Sequence, residues 1–93
     1  MALTAQLEVL NPLGLHARPA SEFVRCVMQF KATAVVLHKD GAEYAATSIL
    51  EVLMANLDQG AVFTLAADGP DEGEAIRQLS ALLVRFRDEE TVH

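Results

Sequence analysis

The chain has 93 residues, 52% of them hydrophobic, and a formal net charge of −6; that length makes one small domain, residues 1–93, with room for one core, and excludes a second. Every apolar run is broken well before the roughly 18 residues needed to cross a bilayer, and the segment from Met1 to Gln6 lacks the basic residues of a secretory leader, so a cytoplasmic protein is expected. An acidic chain with one tyrosine and no tryptophan lacks the basic, aromatic-studded surface that nucleic-acid binders use.

Thr4 to Leu10 alternates, with Ala5, Leu7 and Val9 on one face and Gln6 and Glu8 on the other, which predicts a half-buried strand. Asn11-Pro12-Leu13-Gly14 breaks it. From Ala17 to Phe30 the apolar residues Ala20, Phe23, Val24, Val27 and Phe30 recur at helical spacing and predict a first helix with one buried stripe. Ala32–Leu37 and Ala42–Ala45 flank Lys39-Asp40-Gly41, a tight-hairpin signal between two further strands. Ser48-Ile49-Leu50-Glu51 reads as a capping box in which the serine hydroxyl and the glutamate carboxylate satisfy free N–H groups reciprocally, opening a short helix that runs to about Met54. Ala61–Ala66 is a fourth strand. Gly69-Pro70-Asp71-Glu72-Gly73-Glu74 is the turn, cap and acidic first turn of a last helix, buried through Ile76, Leu79, Leu82, Leu83 and Phe86. Residues 88–93 show no periodicity and are expected to fray.

The order β-α-β-β-α-β-α predicts two layers, a four-stranded antiparallel sheet covered on one face by helices. A ferredoxin-like arrangement has the same order without the last helix, and the pattern alone leaves both open.

Gly14-Leu15-His16-Ala17-Arg18-Pro19-Ala20 carries the chemistry. Pro19 fits only the first turn of a helix, so the helix starts within a residue or two of His16. Free backbone N–H groups and the positive end of the helix dipole favour an anion there, and Arg18 adds a guanidinium fork shaped for phosphate oxygens. Ala17 and Arg18 are therefore the candidate phosphate contacts. A neutral imidazole, with a reference pKa near 6.5, is a competent nucleophile near pH 7 and a good leaving group in the reverse direction. Charge is also unevenly spread: residues 1–39 carry four basic against two acidic side chains, residues 40–93 three against eleven. Arg25 lies two helical turns beyond Arg18 on the same face and is a candidate for partner docking. A helix as short as that after Ser48 cannot bury Ile49, Leu50, Val52, Leu53 and Met54 together, which predicts an exposed apolar patch. Cys26 is alone, which excludes an internal disulfide, and it falls in a helical packing pattern. His38 and His93 offer no metal-ligand spacing, and Asp71, Glu72 and Glu74 are explained as partners of a helix dipole rather than catalytic carboxylates. No metal site is expected.

The same seven residues resemble the active-site signature of HPr, the histidine-containing phosphocarrier family of the bacterial phosphotransferase system. The likeness continues through Phe23-Val24-Arg25, the Ser48 region, Gln59-Gly60 and the acidic start of the last helix, over roughly residues 4–87. It implies the open-faced β-sandwich, with three helices on one face of the sheet. It also implies a carrier without turnover or cofactor, whose histidine, here His16, accepts phosphate from enzyme I, itself charged by phosphoenolpyruvate, and passes it to a downstream acceptor domain. The carrier is expected to act as a monomer, without inserting into a membrane. Ser48 aligns with the serine that a dedicated kinase phosphorylates in many Gram-positive members, so it is a candidate regulatory site as well as a cap. Ile49, Leu50 and Leu53 fall where members expose apolar side chains to partners. Leu13 stands where enteric sugar carriers have asparagine, and Met28, Thr47 and Glu51 where they have lysines, which makes the docking surface less basic. Gly69-Pro70-Asp71-Glu72 and Leu53-Met54 are closer to nitrogen-related phosphocarriers. The alternative is a regulatory binding module that docks on regulators through the Ser48 helix; the presence of His16 and Arg18 speaks against a purely regulatory role.

Overall fold

The computed structural model describes residues 2–91. In chain order the elements are β1 (Leu3–Glu8), α1 (Ala17–Met28), β2 (Ala34–Lys39), β3 (Ala42–Ala45), α2 (Ile49–Met54), β4 (Val62–Asp68) and α3 (Glu72–Thr91). The strands form one sheet in the order β1-β4-β2-β3, and every neighbouring pair is antiparallel. The three helices lie on one face, so this is the open-faced sandwich that the resemblance implies.

Alternation decides which side chains meet the helices. Phe63, Leu65 and Ala67 of β4 and Val35 and Leu37 of β2 point into the core, joined by Phe23 of α1 and Leu79, Leu83 and Phe86 of α3. Phe23 meets Phe63 edge to face at 6.4 Å between centroids and 70° between planes, a geometry that aligns the positive ring edge with the negative ring face. The opposite sheet face stays uncovered, with Gln6, Thr64, His38 and Glu43 side by side across its four strands.

Several expected boundaries shift. The first helix stops at Met28, not Phe30, and the second strand starts at Ala34, because the chain turns through residues 31–33 and Thr33 is buried there as acceptor for the Asp71 N–H (3.1 Å). The expected fray from residue 88 is incorrect over the described residues: α3 continues to Thr91, because Glu89 and Glu90 are tied to other parts of the molecule. The last two residues of that segment, with His93, lie outside the described residues.

The capping box at Ser48 is half formed. Ser48 Oγ accepts the Glu51 N–H (3.2 Å), as expected, but the Glu51 carboxylate accepts the N–H of Ala45 (2.9 Å) instead of that of Ser48. The Ser48 N–H is already bonded to the Ala45 carbonyl (3.1 Å), whereas β3 is an edge strand whose outward N–H groups lack a strand partner. The carboxylate goes to the unsatisfied donor.

Gly14 places the loop that leads into α1. Its φ is +70°, and a Cβ there would stand 2.6 Å from the Leu57 carbonyl oxygen and 2.9 Å from the Asp58 Cα. Beside it the Leu15 N–H donates to that same Leu57 oxygen (2.9 Å), so the loop before α1 is seated directly on the backbone after α2. Gly41 in the hairpin is also left-handed, at φ +82°, but faces open space. Gly41→Ala is therefore expected to cost about 1 kcal/mol of unfolding free energy, from left-handed strain alone. Gly14→Ala should cost about 2 kcal/mol or more, because backbone must also move. Urea unfolding of both variants checks the order, which equal costs would contradict.

Candidate functional site

His16 is the N-cap of α1, with extended backbone (φ −79°, ψ −167°), and its side chain makes no capping hydrogen bond. Ala17, Arg18 and Pro19 follow as the first three helical residues, and the first intrahelical bond runs from the Ala20 N–H to the His16 carbonyl (2.8 Å). The N–H groups of Ala17 and Arg18 thus have no acceptor within the helix, and Pro19 has none to satisfy. Ala17, Arg18 and His16 are exposed, whereas Pro19 and Ala20 are buried and hold the turn against the core.

The side chains around His16 come from the far end of the chain. Glu90, on the last described turn of α3, accepts the Leu13 N–H on Oε1 (2.9 Å) and the Asn11 Nδ2–H on Oε2 (2.7 Å), and Oε2 lies 3.7 Å from His16 Nε2. Asn11 is fully buried and gives a second N–H to the Gly14 carbonyl (2.7 Å), so one amide joins both ends of the loop to the helix. Burial by itself would raise the Glu90 carboxyl, but the donors Leu13 and Asn11 and the nearby His16 outweigh it and hold the group below its ordinary value. Arg18 reaches Glu89 across the α1–α3 interface (3.5 Å) while keeping 76% of its side chain exposed. Glu89 also faces Arg85, which pairs with Glu22 of α1 at 2.9 Å, so acidic and basic groups alternate from one helix to the other up to the site. Among the described residues, Glu89 and Glu90 are what the sequence reading missed. They occupy a segment without apolar periodicity, and only the path of α3 beside α1 brings them to His16.

The remaining candidates are placed apart from that cluster. Arg25 is exposed on α1 beside a groove of about 380 Å³ against α3, near Arg77 and Arg85. Cys26 lines the same groove and packs on the core; burial pushes its thiol up, against a smaller opposing influence of Arg85. Ser48 caps α2, which buries Val52 completely and leaves Ile49, Leu50 and Leu53 exposed, Leu50 by 67%. Met54 is exposed as well, so α2 turns four of its five apolar side chains outward, as expected, and buries Val52; Leu13, in the loop before α1, is also exposed. His38 stands on the uncovered face of the sheet, opposite Thr64 and Glu43. No helix in the described residues is long and apolar enough to cross a membrane.

Comparison with known proteins agrees with this architecture. The family model of the PTS HPr component phosphorylation site matches residues 3–85, and the chain belongs to that family of phosphocarriers. The phosphocarrier protein HPr of Lysinibacillus sphaericus is 41% identical over 89% of this chain and 93% of its own length. The phosphocarrier protein NPr of Escherichia coli (strain K12) is 32% identical over 97% of this chain and 100% of its own. A crystal structure of the phosphocarrier protein HPr from Bacillus anthracis str. Ames superposes with a TM-score of 0.82 at 30% identity, covering 87% of this chain and 95% of that one.

The lowered Glu90 carboxyl sets a pH dependence. Folded Glu90 binds fewer protons than unfolded Glu90 between the two ionisation values, so its contribution is complete above the ordinary glutamate value near pH 4.3 and is lost as pH falls through the folded one. Glu74 acts in the same sense, since hydrogen bonds from Arg77 and Gln78 bring it to about 2. The quantity to measure is therefore the stability difference between wild type and Glu90→Gln. In urea unfolding it should favour the wild type at about pH 6 and shrink toward about pH 3; a difference independent of pH would show that the Glu90 charge contributes nothing.

Proposed function

We propose that this protein accepts a phosphoryl group on His16 from phosphoenolpyruvate-charged enzyme I and passes it to a downstream acceptor domain. The observation that carries this reading is an exposed imidazole at the start of α1 that is not spent on capping, next to two helix N–H groups without intrahelical acceptors and an exposed guanidinium two residues on. A phosphoryl group on that ring meets the positive end of the helix and competes with Glu89 for Arg18, in a geometry suited to bidentate contact. The exposed residues Ile49, Leu50 and Leu53, with Arg25, are the proposed docking contacts for enzyme I. Membership of a phosphocarrier family supports the same reading.

Incubation with phosphoenolpyruvate and a bacterial enzyme I, followed by intact mass measurement, should show one added phosphate, lost in acid and stable in base. His16→Ala should show none and keep its fold, and full labelling of that variant would refute the assignment. Arg18→Lys should transfer several-fold more slowly than wild type because the planar fork is lost, and Arg18→Ala more slowly still. Equal rates for the three proteins would leave Arg18 as a surface charge.

Ser48 is proposed as a regulatory position. Its hydroxyl already accepts the Glu51 N–H, and a carboxylate at an N-cap takes over that role without loss. Ser48→Asp should thus melt near wild type, while its added charge beside Ile49, Leu50 and Leu53 slows transfer if enzyme I docks there with the acidic face that the family resemblance implies, and added salt restores part of the rate. An unchanged rate at low ionic strength would place α2 outside the docking surface.

A further inference from the structure

The groove between α1 and α3, about 380 Å³ in volume, gathers cations in a chain that has few. Of seven basic side chains, Arg25, Arg77 and Arg85 line it, against the one carboxylate of Glu22, although the net charge of the chain is −6. The ion pairs Arg85–Glu22 and Arg18–Glu89 set the register of the two helices: as α1 advances, α3 runs back. In that antiparallel register Arg25 stands level with Leu82, Cys26 with Ala81 and Gln29 with Gln78. Arg25 and Arg85 therefore approach one end of the groove from opposite walls, and Arg77 with the amides of Gln29 and Gln78 surrounds the other. Between the ends lie Cys26, Ala81 and Leu82, and at Ala81 the wall has nothing beyond Cβ, which leaves the groove open. At the rise of a helix, Arg77 and Arg85 are about 12 Å apart along α3, and the two ends of the groove about 9 Å apart.

We propose that this groove binds an elongated small dianion, a molecule with a carboxylate or phosphate at each end of an apolar spacer. A guanidinium offers a planar fork of donors that matches the oxygens of either group. The fork of Arg25 is free: among the described residues no hydrogen bond or ion pair engages it. Arg85 gives Nη2 to Glu22 at 2.9 Å and sets Nε 3.5 Å from Glu89, which leaves the donors of Nη1 for a ligand. Arg77 is held by Glu74 through Nε and Nη2 and likewise keeps Nη1. Exposed pairs of this kind contribute little to stability and give way to a competing anion. The spacer covers Cys26, Ala81 and Leu82 and takes their apolar surface out of water. Burial pushes the Cys26 thiol up, so it stays neutral at pH 7 and sets no charge against the ligand. Two ends joined by one spacer reach an affinity that neither reaches alone, provided the spacer spans the distance. A monoanion, or a dianion too short to touch both ends, lacks that gain.

Succinate, adipate and suberate form a series of rising length with the same two charges, and extended suberate matches the span between the ends of the groove. Titrated into the isotope-labelled protein at fixed ionic strength and followed by amide NMR, suberate should move signals of residues 22–29 and 77–85. It should bind about tenfold more tightly than succinate, with adipate between them. Arg77→Gln should weaken suberate about tenfold while succinate, which needs only the end formed by Arg25 and Arg85, binds as before. Ala81→Leu fills the groove without changing charge and should weaken suberate as well. Position 81 is exposed and leucine is a good helix former, so circular dichroism should show the same fold. The bisphosphate of hexanediol, titrated in parallel, identifies the end group: tighter binding than suberate assigns phosphate, weaker binding assigns carboxylate. Equal affinities for succinate and suberate in wild type, or shifts centred on Ala17 and Arg18 instead of the groove, would overturn the proposal, and neither result depends on a variant.

Discussion

Everything at the site depends on where α1 begins. Pro19 at the third helical position restricts the start of the helix to the residues just before it, and Gly14 lets the preceding loop lie against the backbone of residues 57 and 58 closer than any side chain would allow. With Pro19, Ala20 and Phe23 buried beneath, the helix cannot slide or rotate without opening the core against β4. The imidazole is therefore presented by a rigid element, although it stands at the end of a loop.

Electrostatics then refine what packing has fixed. The run Glu22, Arg85, Glu89, Arg18 crosses between α1 and α3 twice, with the Arg85–Glu89 pair along α3 between the crossings. Exposed pairs of this kind contribute little to stability, commonly below about 1 kcal/mol each. Their consequence is directional: they orient Arg18 along the helix interface, and they are weak enough to give way to the phosphoryl group in the function proposed above. Glu90 differs because it is desolvated and held by two donors, so it acts as a fixed charge where Glu89 is an exchangeable one. An acidic chain thus brings two carboxylates next to the place where it gathers its few cations.

The short α2 shows how one constraint generates another property. With six residues it can bury Val52 and little else, and its first turn is tied to edge strand β3 by Ser48 and Glu51 together. The apolar side chains that remain outside are a cost in water that a partner surface would recover. The Glu51 carboxylate, spent on the Ala45 N–H, also blocks one donor of a sheet edge that would otherwise be open to another strand.

Much of this was legible in the chain. Alternation in β1 and β4, the helical stripes of Phe23 and Val27 and of Leu79 and Leu83, and the Asp40-Gly41 turn are short-range signals, because they express the geometry of a strand, a helix or a hairpin that residues set within a few positions. The helix start at His16 belongs to the same class, since Pro19 dictates it locally. Four features did not: the strand order β1-β4-β2-β3, the continuation of α3 through Thr91, the redirected carboxylate of Glu51, and the seating of Glu90 against Asn11, Leu13 and His16. Each joins groups that lie on different elements and whose partners are chosen by which donors the packing leaves unsatisfied. The last turn of α3 has no apolar pattern because it is held by hydrogen bonds to a loop nearly eighty residues away in the chain. Local chemistry therefore determined the elements and the imidazole with its arginine, whereas only the folded arrangement decided which carboxylate faces that imidazole and from which side.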